Sequence, residues 1–248
     1  MIRSLAIVSR PHSIDKHETC RTFESYYDAK WVPMHEYFVI HKRRFIESVE
    51  FLHEHVEVGA HIGDLVQPGD GPGPLAEFFS MDRNAVLTLI TTDLREPLDV
   101  PDSTSDLILC TETIEHIKDR DSQKIEDLER FTYSGVDSML SEISRILRPK
   151  GLLFITTPNS SSFENLHKWL MDELPYMAEH VREYTVALLN ERCGKQGLIP
   201  IKIDVRNSWG NVETNLLAEF ERLLASFPVK RPVSRCENIF ALYRKNSN

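Results

Sequence analysis

The sequence predicts a doubly wound α/β fold, a seven-stranded Rossmann-like sheet with a helical N-terminal extension. Strand-like apolar runs alternate with helix-period segments along the chain. These runs, such as VLTLIT at 86–91 and LLFITT at 152–157, are nearly unbroken, as strands buried on both faces should be. The first run breaks into the glycines of QPGDGPGPLAEFF, 67–79, and then into a helical pattern.

The elements follow in order. Residues 1–33 mix charge and aromatics with little period and read as a loosely attached arm. From Met34 to about His53, Phe38, Phe45, Val49 and Leu52 recur near helical spacing. Strand 62–67, helix 74–81 and strand 86–91 come next, with Pro74 suited to a first helical turn. DLILC at 106–110 is a strand followed by a helix from near Glu112. The charged stretch 118–135 reads as a solvated loop or helix face, with a mobile cover as the functional alternative. Helix 136–147, strand 152–157, helix 185–195, strand 198–205, a helix near 212–226 and strand 237–243 complete the chain. LRPKG at 147–151 is a turn, and Thr185 is a helix N-cap. The expected division is an N-terminal arm and helix, 1–55, on a compact domain, 56–248, the whole forming one unit.

Composition excludes several classes. The chain has 248 residues, 41% hydrophobic and 27% charged, which suits a soluble globular protein. A net charge of −9 disfavours nucleic acid or an anionic membrane as the main partner. Cysteines 20, 110, 193 and 236 form no CxxC pair and fit a reduced, cytoplasmic chain. No run approaches the ~20 apolar residues of a membrane span, and Leu5–Val8 is too short for a signal peptide.

Two glycine loops compete for a ligand. VEVGAHIG, 56–63, is soon stopped by Pro68-Gly69, whereas the loop with Gly69, Asp70 and Gly71 runs into a helix and is preferred. Asp93, just past the second strand and followed by Leu94, can accept bonds from ribose hydroxyls or simply cap a turn. Loop and acid together indicate a ribose-bearing cofactor. A GxGxxG dinucleotide fingerprint fails if counted from Gly69, because Pro74 takes the third position.

Three separated motifs, PLDVPDSTSDLILCTETIEHI, SEISRILRPKGLLFITTPN and HVREYT, occur in the order that resembles class I S-adenosylmethionine-dependent methyltransferases of the small-molecule and sugar-modifying type. The resemblance spans about residues 60–205. It implies a seven-stranded sheet with an antiparallel last strand, S-adenosylmethionine as cofactor, and cofactor contacts from Gly69, Asp70, Gly71, Asp93, Thr111 and Glu112. Gln67 replaces an acidic residue common in that family and offers the cofactor's ammonium an uncharged oxygen. The segment between Asp93 and PLDVPD is too short for the family's usual extra helix and strand.

On a helix, Glu112, Glu115 and His116 would share one face. His116 as general base, with Glu115, is the expected catalytic pair, and a purely structural helix start is the bland alternative. Some relatives with ExxEH bind magnesium, and a second histidine joins in small-RNA 2′-O-methyltransferases. Glu112, Glu115, His116 and His180 are the corresponding set here, with no metal favoured. Arg182 contacts substrate or orders its loop. The function expected is methyl transfer to an oxygen, less readily a nitrogen, of a small molecule or saccharide. An RNA 2′-O-methyltransferase, a nicotinamide oxidoreductase and a non-catalytic partner subunit are the alternatives.

Overall fold

The computed structural model describes residues 16–56, 62–68, 73–121, 133–175, 177, 179–208, 218, 220, 222, 225–226 and 235–247. Its helices are α1 Lys16–Lys30, α2 Glu36–Ile40, α3 Lys42–His55, α4 Pro74–Arg83, α5 Ser134–Ile146, α6 Phe163–Leu170 and α7 Val186–Lys195. Its strands are β1 Asp64–Pro68, β2 Val86–Ile90, β3 Ser105–Thr111, β4 Leu147–Pro158, β5 Leu198–Arg206 and β6 Asn238–Lys245. They form one sheet in the order β2-β1-β3-β4-β6-β5, with β6 antiparallel to both neighbours.

Alternation along the strands divides the core in two. Leu107, Leu109, Phe154, Phe240 and Leu242 face a layer built from α1, α3 and α4. Ile108, Cys110, Leu153, Ile155, Ile239 and Ala241 face the layer that holds Val136, Met139, Leu140 and Ile143 of α5 and Leu189 and Cys193 of α7. Helices cover both faces, as the continuous apolar strands require. Burial pushes the Cys110 thiol up to about 12, so it packs as a small hydrophobe.

The expected seventh strand is replaced by irregular chain, and the sheet has six strands among the described residues. Residues 91–104 form no strand. Side chains of α5 take over the hydrogen bonds a ladder would have supplied: Glu142 Oε2 accepts from Leu98 N at 2.8 Å, and the Arg145 guanidinium donates to the Leu98 and Val100 carbonyls at 3.0 and 2.9 Å. A segment held this way needs no neighbouring strand.

Four further expectations change. The described part of the arm is helix α1 and packs on the domain: Phe23, Tyr27 and Trp31 recur every four residues and bury against Phe45 and Phe78. The helix at 34–53 is two helices parted at His41, and the His35 side chain caps the first by accepting from Tyr37 N at 3.0 Å. Helix α6 was not anticipated in the polar stretch after the TPN motif. The Thr185 cap is confirmed, accepting from Leu188 N at 3.1 Å. LRPKG, expected as a turn ahead of the strand, is instead the irregular first part of β4, at a register shift against β3: Lys150 has φ of 67°, and a Cβ on Gly151 would meet the Arg148 carbonyl at 2.8 Å. Most of the expected helix at 212–226 and the middle of the charged stretch, 122–132, lie outside the described residues.

Candidate functional site

Strands β2, β1, β3 and β4 are parallel neighbours, so their carboxyl ends lie along one edge of the sheet. Gly69, Asp70 and Gly71 lie outside the described residues, but both ends of their loop are visible. Gln67 Oε1 accepts from Gly73 N at 3.0 Å, bridging the loop from the end of β1 to the N-cap of α4. The amide oxygen expected to meet the cofactor's ammonium is thus already engaged at one lone pair. The rival loop ends at the opposite edge: Gly63 precedes β1, and its N–H donates to Asp106 Oδ2 at 2.8 Å. Ligands of such sheets bind at the carboxyl edge, which favours the downstream loop.

Asp93 follows β2 and is exposed, but its carboxylate is not idle. Arg95 Nη2 lies 2.6 Å from Oδ2, and Arg95 N donates to Oδ1 at 3.0 Å. These hydrogen bonds to the Arg95 side chain and backbone hold the carboxyl down at about 2. Leu94 beside it is buried with Ile90 and Leu98.

Thr111 ends β3, and the chain then turns sharply. Glu112 has φ of 46°, a left-handed conformation costly for a non-glycine residue. Its N–H donates to the Thr156 carbonyl at 2.9 Å, and its carboxylate meets Arg44 Nη1 at 3.3 Å and Asn238 Nδ2 at 3.1 Å. A 3₁₀ turn, Ile114–His116, follows instead of the expected helix. The expected common face of Glu112, Glu115 and His116 therefore does not form. The Glu112 carboxylate is held by Arg44 of α3 and Asn238 of β6.

Glu115 and His116 find another partner. A ligand atom each from Glu115, His116 and His180 lies within 4.8 Å of the others. The imidazole centroids of His116 and His180 are 5.0 Å apart, edge to face. Glu115 is 1% exposed; Oε2 accepts from Thr157 Oγ1 at 3.0 Å, while Oε1 is buried with no hydrogen-bond partner. Burial, reinforced by the Glu112 charge, raises the Glu115 carboxyl well above the usual range. His116 is exposed, and its Nδ1 lies 3.0 Å from the Glu179 carbonyl.

HVREYT is strapped across this turn. Val181 N and Arg182 N both donate to the Glu115 carbonyl, at 2.9 and 3.2 Å, and Ser160 N donates to the Tyr184 carbonyl. Arg182 pairs with Asp119 at 3.2 Å and stacks over Tyr133. Its contacts order the loop. Arg44, Asn238, Thr157, Asn165 and Glu183 escaped the sequence reading, since Arg44, Asn238 and Thr157 reach the turn from distant segments and Asn165 reaches Glu183 from α6. Only Glu183 had a local signal, three residues beyond His180.

The methyltransferase-domain family profile matches residues 8–202. The chain belongs to that family. It is an S-adenosylmethionine-dependent methyltransferase, as its three motifs imply. No curated protein matches it. Among solved structures it is similar to a SAM-dependent methyltransferase from Archaeoglobus fulgidus, at 13% identity and TM-score 0.54, covering 85% of this chain and 100% of that one. A SAM-dependent methyltransferase from Thermotoga maritima gives 16% and 0.53, covering 92% and 100%. At such identities these likenesses speak for the fold alone. Among the described residues, no helix is long and apolar enough to cross a membrane.

Proposed function

We propose that this methyltransferase moves the methyl group to a hydroxyl oxygen of a small molecule or saccharide, with His116 and Glu115 at the reacting centre. One observation carries the reading: buried Glu115, with one oxygen that has no hydrogen-bond donor, offers a carboxylate oxygen within 4.8 Å of a ring nitrogen of each of two imidazoles. Such a group of acceptors suits a proton leaving a hydroxyl. Bound S-adenosylmethionine supplies an electrophilic sulfonium methyl. The loop of Gly69, Asp70 and Gly71 would hold it with Gln67, Asp93, Leu94, Thr111 and Glu112. The chain's remaining work is to align the acceptor, exclude water and take a proton.

The same unpartnered oxygen favours a second reading. One carboxylate and two imidazoles suit a divalent cation, which would lower the pKa of a coordinated hydroxyl. Glu115, His116 and His180 would hold it, and Glu112, tied to Arg44, would not. An RNA acceptor fits the charge of −9 poorly. None of the four cysteines is in a disulfide, which suits the cytoplasm. The test is transfer of labelled methyl from S-adenosylmethionine to hydroxylated small molecules, saccharides and amines, with and without EDTA. Labelling of hydroxyl acceptors in EDTA supports the first reading. Loss in EDTA and recovery with magnesium or manganese supports the second, and amine-only labelling contradicts both.

A further inference from the structure

His180 joins the cluster through one ring nitrogen, and a second buried carboxylate decides which. Its Nδ1 lies 2.9 Å from Glu183 Oε1, with side chains only 6% and 3% exposed. Glu183 Oε2 accepts from Asn165 Nδ2 at 2.7 Å, and the same amide donates to the Asn159 carbonyl at 3.3 Å. Asn165 is fixed in turn: it lies in the first turn of α6, where its N–H donates to the N-cap hydroxyl of Ser162 at 3.1 Å. Both oxygens of Glu183 are therefore committed, one to α6 and one to His180.

An ionised carboxylate only accepts hydrogen bonds, and facing one in this contact Nδ1 would carry the proton. A neutral imidazole with a proton on Nδ1 has a bare lone pair on Nε2. We propose that Glu183, clamped by Asn165, is a positioning residue that holds His180 as the Nδ1–H tautomer, so that Nε2 faces Glu115 and His116 as a lone pair. The proposal rests on reading that cluster as the reacting centre. Glu183 and Asn165 act on it only through His180. Carboxylate–imidazole pairs of this kind orient a ring and raise the basicity of its far nitrogen.

The direct readout is the nitrogen NMR spectrum of the full chain with labelled histidine, with His180→Gln identifying the His180 signals. The wild-type protein should carry the His180 proton on Nδ1. Glu183→Gln offers one acceptor oxygen where two are needed, and should move the ring toward Nε2–H in the folded protein. Asn165→Leu should do so partially. Turnover in Glu183→Gln should fall about 10–100-fold at saturating cofactor, with KM for the cofactor unchanged. A wild-type ring protonated on Nε2, or an Nδ1–H form that persists in Glu183→Gln, would overturn the proposal. Should Glu183→Gln not fold, the wild-type and Asn165→Leu spectra decide. If the tautomer responds as expected but the wild-type protein transfers no methyl group, this assignment stands and the functional reading falls.

Discussion

Arg44 on α3 reaches Glu112 at the end of β3, bringing Nη1 to 3.3 Å from Oε2 with only 5% and 12% of the two side chains exposed. A segment expected to be an appendage thus neutralises the carboxylate that sits in a strained turn beside the site. Arg44→Met would strand Glu112 next to buried Glu115 and should cost about 3–5 kcal/mol of stability. Denaturant unfolding checks this, and Arg44→Met combined with Glu112→Gln should recover part of the loss.

His41 supplies a pH dependence. Burial, then the Arg44 charge, lowers its pKa from 6.5 to about 4, and its Nδ1 lies 3.3 Å from Arg44 Nη1. The lowered pKa contributes stability above pH 6.5, and that contribution is lost as pH falls through about 4. Because His41 is partly exposed, about 1–2 kcal/mol of pH-dependent stability is expected between these limits. His41→Phe should flatten the unfolding curve over that window; a curve identical to wild type contradicts the assignment.

Much of this architecture can be read from local pattern. Helix α4 shows Pro74 at its start and Leu75, Ala76, Phe78 and Phe79 on its buried face, and β3 and β4 carry the apolar runs 107–110 and 152–155. Helix α1 was hidden because Phe23, Tyr27 and Trp31 lie among charged neighbours at a spacing of four. The turn at Glu112 was hidden for another reason. The Glu112 carboxylate is held by Arg44 and Asn238, which stand far away in the chain. Glu115, His116 and His180 were legible as a set through the family resemblance, but that Glu112 stands apart from them is set by the turn after β3.

Residues 91–104 form no strand, and Arg145 holds them instead as a structural residue. Arg145→Ala would leave the Leu98 and Val100 carbonyls without their donor and should lower stability by about 1.5–3 kcal/mol. Thermal unfolding reads this. A wild-type melting temperature would show that the segment 91–104 is held by other contacts.

Asp93 separates a cofactor contact from a turn cap. Asp93→Ala should weaken S-adenosylhomocysteine binding by about 1.5–3 kcal/mol in calorimetry if its oxygens turn from Arg95 to the ribose. A change of a few tenths would leave Asp93 as Arg95's partner only.

The most direct test of the reacting centre is the single-turnover rate of methyl transfer in His116→Ala, using a hydroxyl acceptor identified with labelled cofactor. The account predicts a rate lower by roughly 10²–10⁴, with S-adenosylmethionine affinity and melting temperature unchanged. A wild-type rate per folded molecule would contradict it.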